Sequence, residues 1–191
     1  MESFHFFSNF IKNPSSVGSL IPSSKALARL MVQTAKVSQS NTIVEFGAGT
    51  GVFTEEIQKQ RMPKSHFFSF EIDSKFAELT KKRCPDVNVI NDSAGKTLEI
   101  LQQHNLTHCD CIVSGLPWAT LPKTIQTELF DVMKESLRPG GIFVTFGYVQ
   151  SSIMPNMLRF REKLENNFSE TGTSSFVWGN APPARAYWAK K

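Results

Sequence analysis

The residues able to do chemistry gather in a few short stretches. The first is "VEFGAGTGVF", residues 44–53, where Gly47, Gly49 and Gly51 alternate with Ala48 and Thr50 and follow Glu45. Glycines at this spacing let a backbone turn tightly and approach a ligand with no Cβ in the way. A dinucleotide fingerprint places its last glycine at position 52, where Val52 stands. A carboxylate two residues before the first glycine also suits a cationic ligand better than a pyrophosphate. A sulfonium cofactor fits this turn better than a nicotinamide dinucleotide.

Two further carboxylates fall in register with it. Glu71, followed by Ile72, ends the run "HFFSFEI" (66–72), at the distance past the glycines where an acidic side chain accepts hydrogen bonds from ribose hydroxyls. Asp92 follows the run "VNVIN" (87–91), and Ser93 and Ala94 turn the chain beside it. Asp92 is placed to face an adenine amine. The last stretch is "SGLPWATLP" (114–122), in which Ser114, Gly115, Leu116 and Trp118 follow a buried run.

These residues need elements to hold them. Between 42 and 147, β-rich runs at 42–46, 66–72, 87–91, 110–115 and 141–147 alternate with helical patterns, the signature of a parallel sheet with helices on both faces. Asp73 caps a helix through Arg83, Pro122 opens one reaching Leu137, and "RPGG" (138–141) stops it. Another helix follows Pro155. "SSFVWGN" and "ARAYWAK" flank Pro182-Pro183 as two strands of an antiparallel C-terminal hairpin. Upstream, "SSKALARLMVQTA" begins with a serine cap and sets Ala26, Leu27, Leu30 and Met31 on one helical face.

A chain of 191 residues with 40% hydrophobic content supports one domain that buries roughly 70% of its unfolded surface. The expected organisation is a single domain over 1–191, with N-terminal helices in 1–37 covering the site and an α/β core in 42–191. The net charge of +4 is mildly basic and compatible with any anionic surface. Cys84, Cys109 and Cys111 lack a CxxC pair and read as reduced thiols, and His5, His66, His104 and His108 offer no paired metal spacing. No metal is expected. With no signal peptide pattern and no apolar run of spanning length, the expected location is cytoplasmic.

The glycine turn, Glu71 and Asp92 resemble, over about residues 42–147, the class I S-adenosylmethionine-dependent methyltransferases. The resemblance implies a Rossmann-like, mostly parallel sheet with S-adenosyl-L-methionine at its carboxyl edge. Glu45 and the turn Gly47, Ala48, Gly49, Thr50 and Gly51 would hold the methionine end, Glu71 with Ile72 the ribose, and Asp92, Ser93 and Ala94 the adenine side, with Ser114 nearby. The fourth strand then delivers the 114–122 loop beside the reactive methyl group.

That loop resembles the "NLPY" loop of rRNA adenine dimethyltransferases, but Gly115 stands where they carry asparagine. A planar base amine would lose its side-chain acceptor there, whereas an alkylamine can use backbone carbonyls near Gly115 and Leu116. Trp118 is read as a cradle for the methylated cation, the competing reading being a core residue. Tyr148 is read as a second aromatic wall, with a structural role as the alternative.

"FSNFIKNPSSVGSLIPSSKALARLM", "SGLPWATLP" and "WGNAPPARAYW" together resemble the bacterial phospholipid N-methyltransferases, and also the related ornithine-lipid methylases. The implied reaction is methylation of the phosphatidylethanolamine headgroup amine towards phosphatidylcholine. Arg185 and Lys123 are the candidates for the substrate phosphate, each weighed against a plain surface charge. The family also begins with an amphipathic helix. At 100° per residue Phe4, Phe6, Phe7, Phe10 and Ile11 share one arc, so residues 1–12 are expected either to lie on an anionic bilayer at the inner face of the cell membrane or to pack over the site. The competing expectations are an rRNA adenine N6-methyltransferase, disfavoured by Gly115, and a lipid- or cofactor-binding protein without catalysis. No nucleic-acid partner is expected.

Overall fold

The computed structural model describes residues 23–191, so the amphipathic stretch 1–12 and the rest of the chain before 23 lie outside the described residues. Among these residues seven strands form one sheet: β1 (Thr42–Phe46), β2 (His66–Phe70), β3 (Asn88–Ile90), β4 (Cys109–Ser114), β5 (Leu137–Tyr148), β6 (Glu170–Thr173) and β7 (Ala184–Lys190). Their spatial order is β3-β2-β1-β4-β5-β7-β6. β1 to β5 run parallel, and β7 lies antiparallel between β5 and β6. This is the mostly parallel sheet expected from the alternating runs, with the Rossmann-like arrangement that the resemblance to class I methyltransferases implies. Every residue of β1 is buried, which is why "TIVEF" reads as a near-continuous apolar run instead of an alternation.

Among the described residues six α-helices cover the sheet: α1 (Lys25–Thr34), α2 (Val52–Gln60), α3 (Ser74–Arg83), α4 (Thr97–Gln103), α5 (Lys123–Ser136) and α6 (Pro155–Asn167). One core cluster joins the sheet to α5 and α6 through Phe130, Phe143, Phe160 and Trp118. The other joins the opposite face to α1 and α2 through Leu27, Met31, Phe53 and Ile57. Ser24 caps α1 by accepting from the Leu27 N–H at 3.2 Å. Its buried face is Leu27, Ala28, Met31 and Val32, one step round from the expected set, with Ala26 exposed. Burying Leu27, Met31 and Val32 contributes roughly 1.5–3 kcal/mol each. Cys84, Cys109 and Cys111 are buried free thiols.

Two boundaries differ from the sequence expectation. "RPGG" lies inside β5, which starts directly after α5 ends at Ser136. Gly140, at φ +75°, accommodates the irregularity, and the pairing register with β4 shifts between Cys109 and Cys111. The hairpin also begins earlier than "SSFVWGN": β6 is Glu170–Thr173, and only Val177 of the later stretch bridges to Ala184. Gly172 explains the earlier strand, since a Cβ there would lie 2.6 Å from the Trp188 ring that packs over it.

The sheet order reverses between β1 and β4. Chains leaving β1 and β4 therefore diverge to opposite sides, and this opens a crevice at the carboxyl edge, where ligands of such sheets sit.

Candidate active site

Beyond β1 the chain passes through Gly47, Gly49 and Gly51, with φ of +78°, +53° and +79°. Left-handed conformations at three positions in five residues explain the alternation of glycines. The turn is pinned from the neighbouring strand, because the N–H groups of Gly47 and Ala48 both donate to the Phe70 carbonyl, at 2.9 and 3.0 Å. From α3, the Thr80 hydroxyl donates to the Gly49 carbonyl at 2.9 Å, and Arg83 donates to the Thr50 carbonyl.

Glu71 stands at the end of β2 and faces this turn. Its Oε2 accepts from the Gly49 N–H at 2.7 Å and its Oε1 from the Asp73 N–H at 2.9 Å. Burial raises its carboxyl above the usual range, while the Asp73 and Gly49 N–H groups pull the other way. Each oxygen keeps a second lone pair for a further donor.

Gly47, Phe70, Glu71, Ile72, Asp92, Ser93, Ala94, Leu116 and Leu129 line one crevice with about 320 Å³ of empty volume. The structure thus brings together Gly47, Glu71, Ile72, Asp92, Ser93 and Ala94 from the expected cofactor set, and Leu116 from the acceptor loop. Ile72 and Leu129 supply apolar surface to this crevice and Glu71 and Asp92 supply carboxylates, the combination that a nucleoside would call for. Phe70 and Leu129 went unnoticed in the sequence. Leu129 carries no local signal, since only the packing of α5 against the sheet brings it there. Asn91, whose amide donates to the carbonyls of Glu71 (2.8 Å) and Ile72 (3.2 Å), sits directly before Asp92 and could have been found by that adjacency.

Glu45 departs from the expected contact. It is fully buried beneath the glycine turn and does not line the crevice. Its Oε2 accepts from the hydroxyls of Thr54 (2.7 Å) and Ser69 (2.6 Å). Its Oε1 has no partner among the described residues. Burial pushes its carboxyl up to about 7, against the opposing pull of the Ser69 and Thr54 hydroxyls. Glu45 therefore ties the turn to α2 and β2 and is poised to ionise when a cation comes near.

The acceptor loop packs on the turn backbone to backbone. A Cβ on Gly115 would lie 2.5 Å from the Gly47 carbonyl oxygen, and a Cβ on Gly47 would lie 2.7 Å from the Leu116 side chain. Gly115 is thus fixed by close approach, and no side-chain amide can stand there without moving the turn.

Trp118 is not a cation cradle. Its ring is 1% exposed, stacked on Phe160 at 4.4 Å and edge-on to Phe143 at 5.7 Å. The indole N–H donates to the Ser114 hydroxyl at 3.0 Å, and the Trp118 carbonyl accepts from Gln126 at 2.8 Å. A large apolar ring with one polar edge finds both a core and a partner here. Ser114, expected near the cofactor, is fully buried: its Oγ serves Trp118 and its carbonyl accepts from the Thr145 hydroxyl at 3.1 Å. The Leu116 carbonyl is taken by the Trp118 N–H at 3.0 Å and the Pro117 carbonyl by the Thr120 N–H at 2.9 Å, whereas no backbone donor claims the Gly115 carbonyl among the described residues.

Tyr148 ends β5 half-buried, edge-on to Phe146 at 5.4 Å, and burial raises its phenol. Arg185 pairs across from Gly147, so it projects to the opposite sheet face from Tyr148. Its guanidinium lies 3.8 Å over the Phe176 ring, and its buried Nε has no partner among the described residues. Lys123 is exposed at the start of α5.

Comparison with known proteins bears on the fold and the family. Residues 4–108 match the family model described as ribosomal RNA adenine dimethylase. The ornithine lipid N-methyltransferase of Singulisphaera acidiphila is 33% identical over 190 residues, covering 98% of this chain and 95% of that one. Among solved structures, an O-methyltransferase from Bacillus cereus in complex with SAH superposes with a TM-score of 0.71 at 12% identity, covering 99% of this chain and 91% of that one. An O-methyltransferase from Streptomyces achromogenes involved in tomaymycin synthesis, in complex with SAM, gives 0.64 at 17% identity over 88% and 81%. Fold and crevice together define a class I methyltransferase whose cofactor is S-adenosyl-L-methionine. Within that class the chain belongs to the family that the ribosomal RNA adenine dimethylase model describes.

Proposed function

We propose that this methyltransferase transfers methyl groups to the free amine of a membrane aminolipid, at the inner face of the cell membrane. The observation that carries this reading is the interlock of Gly115 with Gly47, which replaces the side-chain acceptor of a base-methylating loop with a bare carbonyl. The likeness to an ornithine lipid N-methyltransferase along nearly the whole chain supports it. The acceptor is the amine of ornithine lipid or of phosphatidylethanolamine.

The cofactor supplies an electrophilic methyl on a sulfonium. An in-line displacement needs a neutral nucleophile, so the protein's part is to align the amine and exclude water. The Gly115 carbonyl accepts one amine N–H and fixes the approach of the lone pair. Glu71 would hold the ribose hydroxyls, the Asp92–Ala94 turn would flank the adenine, and the Gly47–Gly51 turn would receive the methionine end, with Glu45 supplying charge from beneath. Arg185 and Lys123 are the cations available to an acidic lipid headgroup.

A second reading, methylation of an rRNA adenine, is favoured by the family model that the chain matches. The Gly115 contact weighs against it, since a planar amine there meets no side-chain acceptor. A lipidomic comparison of cells with and without the protein tests the choice. Methylated ornithine lipid or phosphatidylethanolamine that depends on the protein is expected; an unchanged lipidome alongside a lost rRNA methyl group would decide for the second reading.

A further inference from the structure

Among the described residues six large hydrophobic side chains are exposed, and five of them, Val149, Ile153, Met154, Leu158 and Trp178, fall in two stretches that meet at one corner of the sheet. The first stretch is the turn that leaves the end of β5 and runs into α6. The second is the loop between β6 and β7. The Val149 N–H donates to the Pro183 carbonyl at 2.9 Å, and Val177 bridges to Ala184, the residue opposite Tyr148, so both stretches are tied to the carboxyl end of β5. Ile153 is 79% exposed and Trp178 74%, protruding side chains and not the walls of a groove.

The surroundings have one sign of charge. Residues 149–161 and 174–185 contain no Asp or Glu, but they carry Arg159, Arg161 and Arg185. The corner is also where the chain from the N-terminus arrives, because the Ser24 N–H donates to Asn180 Oδ1 at 2.8 Å. It lies on the same sheet edge as the crevice, one to two strand spacings, roughly 5–10 Å, from the acceptor loop.

We infer that Val149, Ile153, Met154 and Trp178 form a bilayer-docking surface that inserts into the interface of an anionic membrane and presents the crevice to lipid headgroups. Protruding aliphatic and indole side chains on stretches whose only charges are arginines match the acyl boundary and the negative headgroup layer. Trp suits the boundary because its ring is apolar and its N–H remains wet. The inference rests on the aminolipid reading and supplies the surface by which the enzyme meets its substrate, separate from residues 1–12.

The full-length protein and an I153S/W178S variant are compared for partitioning onto phosphatidylglycerol/phosphatidylcholine vesicles, which contain no primary amine. S-adenosyl-L-methionine affinity by calorimetry serves as the check on folding. The variant is expected to partition about tenfold more weakly or worse, with unchanged cofactor affinity. In the wild type, Trp emission should shift to the blue on vesicles, and a W178F variant should lose most of that shift because Trp118 is buried and Trp188 only partly exposed. Equal partitioning of the double variant would overturn the proposal, as would a dimer in sedimentation that the variant dissociates without any change on vesicles. Methyl transfer to detergent-dispersed aminolipid is assayed separately. Its absence would strike the aminolipid reading, whereas unaltered partitioning would strike only the docking surface.

Discussion

Gly115 and Gly47 meet backbone to backbone: an added Cβ on the first would stand 2.5 Å from the carbonyl oxygen of the second. The acceptor loop and the cofactor turn therefore form one rigid unit, and displacing either moves both. G115A should destabilise the protein by about 1–3 kcal/mol through overpacking, and it should weaken cofactor binding through the shifted turn. Thermal unfolding and calorimetry check this. G115N should not gain activity on RNA, because the amide has no room to occupy the acceptor position.

Trp118 anchors the acceptor loop from below. W118F keeps most of the packing on Phe160 and Phe143 but removes the hydrogen bond to Ser114, so it should cost about 1 kcal/mol of stability and lower kcat with little change in cofactor affinity. W118A should cost about 3–5 kcal/mol. A stable W118A protein with only a raised KM for the amine would return Trp118 to the role of a substrate cradle.

Glu71 holds the turn and offers its remaining lone pairs to the ribose. E71A removes charge-assisted hydrogen bonds worth about 1.5–3 kcal/mol each, so the Kd for S-adenosyl-L-methionine should rise by at least an order of magnitude. Unchanged affinity in calorimetry would remove Glu71 from the cofactor site.

Glu45 makes a pH-dependent prediction. Its carboxyl, raised from an ordinary 4.5 to about 7 in the folded protein, favours the folded state when protonated, and that contribution is lost as pH rises through about 7. E45Q should flatten this decline in thermal stability. A cationic methionine end favours the ionised form, so cofactor affinity should rise across the same window in the wild type and not in E45Q. Parallel pH profiles for the two proteins would contradict this role.

Much of the sheet and the cofactor crevice was legible because their signals are local. β1 reads as a buried run, the alternating glycines demand positive φ, and Glu71 and Asp92 fall at strand ends in register with the turn. What was not legible depends on contacts between distant segments. Trp118 looks the same in sequence whether it faces a ligand or Phe160, and only α6 folding back over the loop decides. Glu45 reads as a ligand carboxylate until α2 brings Thr54 over it. The C-terminal hairpin was misplaced because Phe176, Val177 and Trp178 have strand-like propensity but are spent on a loop, whereas Gly172 is chosen to let Trp188 lie across β6.

The aminolipid reading is tested most directly by incubating the purified protein with methyl-labelled S-adenosyl-L-methionine and three acceptors in turn: vesicles containing ornithine lipid, vesicles containing phosphatidylethanolamine, and rRNA. Label is predicted in the amine headgroup of at least one lipid and absent from the RNA. Label in rRNA with none in either lipid would contradict the account.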